Sequence, residues 1–332
     1  ISTRKKRMSY PEKEDPRSII YAIAIISAVF HDFGKVMKGF QNNLRKRTPQ
    51  LVRHEFMSFI VFSWLTRQDS PFNDDLKLIQ AMASNDAEWL DEVNLFLNRL
   101  ANEDEQILQF IRKIMSTDVF SDTDASGMFS DRKIIECVKF VILTHHKMIT
   151  YKNHENGPCY KSENKLESFV RTNLYPISDD ALEFIKPFTG GKAFSFLPIG
   201  KKYTHMNLRF VSVISSACSG MIPYVVENFK KGVNSSLLTD IGLIARNFMI
   251  IGDNKGSSIK IVGSGSKSGM VFANTNGNAL ADLLVCHLTR VVIYTHKALK
   301  SIQSGFDKSI SEEDIPEMLS ERSPEKFQWQ NK

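Results

Sequence analysis

The sequence predicts an all-α fold with long connecting loops and one small β-hairpin. Helix-like apolar periodicity recurs at 19–31, 51–66, 76–83, 88–100, 104–115, 132–147, 207–228, 237–250 and 279–303, with no comparable alternation to argue for an extensive sheet. Two stretches, 147–204 and 251–278, break that rhythm with clusters of Lys, Asn, Gly, Ser and Pro, and are predicted as long loops.

Residues 1–18, "ISTRKKRMSYPEKEDPRS", are charged, aperiodic and contain Pro, and are predicted as a tether or extended arm. The folded part spans 19–305. It opens on "IIYAIAIISAVF", whose twelve apolar residues are too few for a hydrocarbon layer of about 30 Å, so a buried core helix and no membrane partner are expected. Loop 147–204 includes a short helix near 179–186, and loops of this length often carry binding surface. Loop 251–278 contains a hairpin with "SSIKIV" and "GMVFA" as strands. Its "GSGSKSG" core misses the GxxxxGK[ST] spacing of a phosphate loop and is expected to be a plain loop. A C-terminal helix over 279–303 closes the domain, and 306–332 reads as a linker.

At 332 residues, 42% hydrophobic and 24% charged, the chain has the composition of a soluble globular protein rather than a disordered one. Cys137, Cys159, Cys218 and Cys286 lie far apart without CxxC spacing, which argues against a zinc ribbon or a disulfide framework and fits a cytoplasmic location. The sequence begins with Ile, shows no signal peptide and ends on "SPEKFQWQNK", as a piece of a longer protein would. A net charge of +6 and a pI near 9.0 favour a polyanionic partner, since Lys and Arg gain by releasing counterions from phosphates; a generically basic surface has the same composition.

The residues able to carry chemistry are histidines set on apolar helices. His31 and Asp32 close the first helix in "AVFHDFGKVMKGF", and an adjacent imidazole and carboxylate are ligands for a divalent metal. His54 lies in "LVRHEFMSFIVFSWL", where Leu51, His54, Ser58 and Val61 share a helical face; it is a ligand or a core histidine bonded to a carbonyl. His145 and His146 end another apolar helix, and as neighbours about 100° apart they either straddle one metal where the helix frays or form a surface pair.

The ordered set of HD, a single His and then HH on successive helices resembles the HD superfamily of metal-dependent phosphohydrolases. More closely, "HDFGKVMKGFQ", "RHEF" and "THHK" are similar to the nuclease domain of the CRISPR-associated helicase-nuclease of type I systems, closest to subtype F. The resemblance covers most of 19–305. It implies an all-helical HD domain that binds transition-metal ions and cleaves single-stranded DNA, the strand displaced from foreign DNA during interference. It also implies a helicase in the same polypeptide beyond the 306–332 linker, an adaptor domain ahead of the 1–18 tether, and the CRISPR surveillance complex and integration proteins as partners.

Two departures from the family pattern bear on the ligands. Relatives offer a further Asp on a later helix, and in "LRFVSVISSACSG" Ser216 stands at that place, where it can reach a metal only through a water. Most HD proteins also open with a helix bearing a metal-binding His, yet no histidine precedes His31. A similar stretch lies near the end, "ADLLVCHLTRVVIYTHKAL", where Leu280, Leu283, Leu284, His287, Val291 and Tyr294 share a stripe and His296 points away. His287 is therefore the expected missing ligand, as in a circular permutation.

The expected site holds two divalent ions of Mn, Fe, Co or Ni type bridged by Asp32. His31 and His287 serve one ion, with Ser216 nearby, and His54, His145 and His146 serve the other. Lys35 either supports the charge of the reacting phosphate, as a catalytic group beside Asp32, or is a solvated helix-end lysine. Two other functions share parts of this reading: an HD phosphohydrolase acting on nucleotides, and a metal-poor scaffold that the serine at 216 would favour.

Overall fold

The computed structural model describes residues 17–46, 51–116, 133–146, 152–154, 157–159, 177–188, 204–220, 235–258, 271–276 and 279–306. Its centre is α1, Arg17–Phe30, in which every residue from Ala22 to Phe30 is buried. The helix takes in Arg17 and Ser18, so any tether ends at residue 16, outside the described residues. By length and composition Arg17–Val36 could span a membrane, contrary to the twelve-residue expectation, but 94% of that window is buried inside the fold. Its partners are protein side chains, Phe33, Phe62 and Trp89 among them, with Phe30 at 5.0 to 5.5 Å from their ring centroids.

Around α1 the described chain is mostly helical, as the sequence predicts. A 3₁₀ turn, Phe33–Val36, leads to α2, Lys38–Lys46, and these are followed by α3 (His54–Leu65), α4 (Asp75–Ala83), α5 (Glu88–Ala101), α6 (Glu105–Ser116) and α7 (Lys133–Thr144). Two helix starts are fixed from one loop. The Asp74 carboxylate accepts from Leu76 N and Lys77 N to cap α4, and the buried Asp75 beside it accepts from Ile134 N and Ile135 N at 2.9 Å each, satisfying the first free amides of α7.

The 147–204 stretch contains a two-stranded antiparallel pair, β1 (Lys152–His154) with β2 (Gly157–Cys159), and α8 (Asp179–Ile185), capped by Ser178. After α8 the chain runs beside the 3₁₀ turn, with Lys38 N bonded to Lys186 O and Phe188 N to Val36 O. α9 (Thr204–Ser219) packs on α4.

The largest difference from the sequence reading is α10, Ser235–Ser257, which continues through seven residues assigned to a loop. "GDNKGS" has the composition of a turn, but Gly252 and Gly256, one turn apart, lie against the last helix, α11 (Leu284–Phe306). A Cβ on Gly252 would fall 2.0 Å from Thr295 Oγ1, and one on Gly256 2.9 Å from Val291 Cγ2. Close helix packing outweighs local propensity here, and α10 against α11 is the most extensive helix pair among the described residues.

A small hairpin is present, but its strands are not the expected ones: the first keeps only Phe272 and Ala273 of "GMVFA", and the second lies in the segment assigned to the last helix. β3 (Phe272–Asn276) pairs antiparallel with β4 (Ala279–Leu283), Phe272 opposite Leu283 and Asn276 opposite Ala279. The last helix thus begins at Leu284, five residues later than predicted, because 279–283 is strand. Most of "SSIKIV" and all of "GSGSKSG" lie outside the described residues, as does 307–332. Gln41, fully buried, clips the hairpin to the turn after α1: its amide donates to Lys35 O and Phe272 O, both at 2.7 Å, and accepts from Phe272 N.

Candidate metal centre

At the C-terminal end of α1 the chain makes no fifth helical turn. His31 N still bonds to Ser27 O, Lys35 N closes the 3₁₀ turn on Asp32 O, and His31 and Asp32 are left at a helix end with free carbonyls beneath them. The turn then passes so close to α3 that a Cβ on Gly34 would sit 2.0 Å from His54 O; Gly34 N donates to Ser58 Oγ at 2.8 Å. Only a residue without a side chain permits this approach, and it places His54 beside Asp32.

Asp32, 1% exposed, is the hub. Its Oδ1 lies 3.1 Å from His54 Nε2 and 3.8 Å from His145 Nε2. Its Oδ2 lies 3.3 Å from His31 Nε2, 3.0 Å from His287 Nε2 and 2.7 Å from Lys35 Nζ. His146 Nε2 stands 3.1 Å from His54 Nε2. Two four-residue groups result, each with ligand atoms within 4.8 Å of one another and each able to hold a metal ion: Asp32, His54, His145 and His146, and His31, Asp32, Asp253 and His287.

The predicted histidines are therefore brought together, His31 and His287 with ring centroids 5.9 Å apart. Ser216 is not among them. It is exposed, on the outer face of α9 with Leu208 and Ser212, while Phe210, Ile214 and Cys218 face inward. The carboxylate expected on that helix comes instead from Asp253 on α10, whose Oδ1 lies 3.7 Å from His31 Nε2 and 3.5 Å from His287 Nε2. The helical continuation of α10 delivers it. The spacing of Gly252 and Gly256 was the signal for a packed helix rather than a loop.

The tautomers suit metal binding. His31 Nδ1 donates to Ala28 O at 3.0 Å and His145 Nδ1 to Ile142 O at 2.6 Å, carbonyls that a helix end leaves free, so each Nε2 is turned towards Asp32. Both Nε2 atoms and Asp32 Oδ1 are buried without a hydrogen-bond partner. Each unsatisfied buried group costs about 1–3 kcal/mol, and nitrogens and carboxylate oxygens converging in this way are the donor set of a transition-metal cation.

Charge is balanced within the site. Burial alone would raise the Asp32 carboxyl, but His31 and Lys35 beside it hold it well below the usual range. Burial would likewise raise Asp253, and His31 beside it at 3.7 Å brings it down. Burial opposes charge on His31, yet Asp32 and Asp253 prevail and push it up to about 10, so in the absence of a cation a proton on His31 offsets one of the two carboxylates. Burial lowers His145, and burial with His145 and His54 nearby lowers His146 to about 3, which leaves the imidazoles of the HH pair neutral. His146 is exposed, so this group faces solvent while the other is enclosed.

The supports are specific. Arg246 on α10 donates from Nε and Nη2 to Thr144 O at 3.0 and 2.7 Å, fixing the end of α7 immediately before His145. Glu55, 3% exposed and bonded to Arg53, lies 3.4 Å from His54 Nδ1. Lys35 is 7% exposed and paired with Asp32, so it belongs to the site and is not a solvated helix-end lysine. Comparison with protein-family models and with curated proteins finds no match for this chain.

Proposed function

We propose that the chain is a metal-dependent phosphodiester hydrolase of HD type that cleaves single-stranded DNA. The observation that carries the proposal is the sharing of one carboxylate, Asp32, between two ligand groups, one oxygen towards each. His54, His145 and His146 with Asp32 would hold one cation, and His31, Asp253 and His287 with Asp32 the other. Two such cations supply, when bound, a water ionised near neutral pH and positive charge at the non-bridging and leaving oxygens of a phosphodiester. Mixed imidazole and carboxylate donors favour Mn, Fe, Co or Ni over Mg.

The chain's own residues account for the remaining requirements. Asp32 fixes the spacing of the two groups. Lys35, anchored on Asp32, carries an ammonium that can donate to a phosphoryl oxygen as its charge grows. The exposed His146 marks the side from which a strand enters, and the enclosed His31 group lies behind it. DNA as substrate, a helicase in the same polypeptide, and the CRISPR surveillance complex and integration proteins as partners rest on the resemblance of "HDFGKVMKGFQ", "RHEF" and "THHK", together with the +6 charge. The scaffold reading depended on a serine replacing the acid, and Asp253 removes that ground.

The test is cleavage of labelled DNA by the purified chain with Mn, Ni, Co or ferrous iron. Single strands should be degraded and intact duplex spared, with binding weakened by salt. Hydrolysis of nucleotides but not DNA would replace this function with the nucleotide phosphohydrolase, and no cleavage of single strands with any of these metals would refute it.

A further inference from the structure

His287 differs from His31 and His145 in how its second ring nitrogen is placed. Those two follow helix C-terminal ends and donate Nδ1–H to free carbonyls of Ala28 and Ile142. His287 sits in the first turn of α11, where the free backbone groups are amides, so no such acceptor is at hand. Its Nδ1 is buried without a partner and lies 3.6 Å from Asp282 Oδ2; Asp282 Oδ1 is also buried without a partner.

Asp282 is held at a backbone cost. It has φ of 66° inside β4, one of three non-glycine residues with positive φ among the described residues, and it is 4% exposed. Asp is among the few residues that tolerate this conformation, but in a strand the conformation persists only where its surroundings impose it. Arg290, in the second turn of α11, donates Nη2 to Asp282 Oδ2 and Nε to Gly256 O at 3.2 Å. Arg290 thus bonds both Gly256 O and Asp282, and the Asp282 carboxylate faces His287 Nδ1.

We propose that Asp282 is the positioning residue of His287: its carboxylate accepts a hydrogen bond from Nδ1–H, leaving Nε2 to bind the cation shared with His31, Asp32 and Asp253. An imidazole backed by a carboxylate is fixed in orientation and made a more basic ligand. This deepens the function proposed above and rests on it for the cation, but not for the proton on Nδ1.

The experiment uses the whole chain and two Asp282 variants. Asp282→Asn keeps size and tolerance of positive φ, and Asp282→Gly removes the side chain while relieving the backbone, so at least one folds. Arg290→Met removes the strut and leaves the carboxylate. Long-range ¹H–¹⁵N spectra of labelled protein, with His287 assigned through His287→Gln, should show a protonated, hydrogen-bonded Nδ1 in the metal-free wild type and its loss or weakening in both Asp282 variants. Titration with Mn should show affinity lowered about 10- to 100-fold at one position in those variants, and nearly retained in Arg290→Met. Unchanged Nδ1 signals and affinities within twofold in the Asp282 variants, or an equal loss in Arg290→Met, would reduce Asp282 to a strut between hairpin and helix. A wild-type chain that binds no metal would sink the function proposed above, and the Nδ1 signal would still decide for or against Asp282.

Discussion

Asp32 Oδ2 stands 3.0 Å from His287 Nε2, although 255 positions separate the two residues in the chain. The same carboxylate turns its other oxygen to His54 at 3.1 Å. Asp32→Ala should therefore abolish both metal positions together, and with them any nuclease activity, since like charges would lose the anion between them. Metal analysis that finds normal content in this variant would remove Asp32 from the centre.

Asp253 and Ser216 make opposite predictions. Asp253→Ala should lower affinity at the position it shares with His31 and His287 and leave the His54 group nearly unchanged. Ser216→Asp, on an exposed face, should alter neither. Calorimetric titration of both variants checks this, and a gain in affinity from Ser216→Asp would restore the serine to the site.

His287→Ala should cost metal affinity, while His296→Ala should not. His296 meets the Tyr21 hydroxyl and lies with its ring centroid 5.6 Å from the Tyr21 ring, away from Asp32. Its loss is expected to cost about 0.5–1.5 kcal/mol of stability through one hydrogen bond, read by denaturant titration at unchanged metal content.

Gly252→Ala forces a Cβ against Thr295 Oγ1 at 2.0 Å and Val291 O at 2.9 Å, so α10 and α11 must separate. Overpacking of this kind costs about 1–3 kcal/mol. The melting temperature should fall, and metal affinity should drop first at the position built from these two helices. A variant as stable as the parent would show that the helices pack less closely.

Stability should decline at high pH. Burial, aided by Asp75 and Glu136, pushes the Cys137 thiol up to about 12 from an ordinary 9.0, and burial does the same to Cys218. The unfolded chain releases these protons near pH 9 and the folded chain does not, so both thiols favour folding below that pH and lose the effect as pH rises towards about 12. Replacing both with Ala should flatten the decline in denaturant midpoint between pH 9 and 11.

The helices were legible because their apolar faces repeat with the helical period and pack on one buried helix. His31, Asp32, His54, His145, His146 and His287 were legible because imidazoles on apolar helices are few and their order along the chain resembles a known pattern. Asp253 was hidden by its neighbours: Gly252, Asn254 and Gly256 have turn composition, and only contact with Thr295 and Val291 makes them helical. Ser216 misled for the converse reason, since its helix was correct but the face it occupies depends on packing against α4 that periodicity alone does not orient. Asp282 lay in a segment assigned to the last helix, and the strand that precedes His287 is defined by pairing with residues 272–276.

The hub residue and its most distant ligand also set a schedule. Synthesis proceeds at roughly 5–20 residues per second, so the 255 positions between Asp32 and His287 take on the order of ten to fifty seconds to translate. Throughout that interval a nascent chain holds the HD pair, and later the HH pair, without Asp253 or His287. Contacts of such long sequence separation also form slowly once both ends exist. The enclosed position is thus the last to be completed, and a chain interrupted before α11 leaves the ribosome without the ligand group that Asp32 shares with His287.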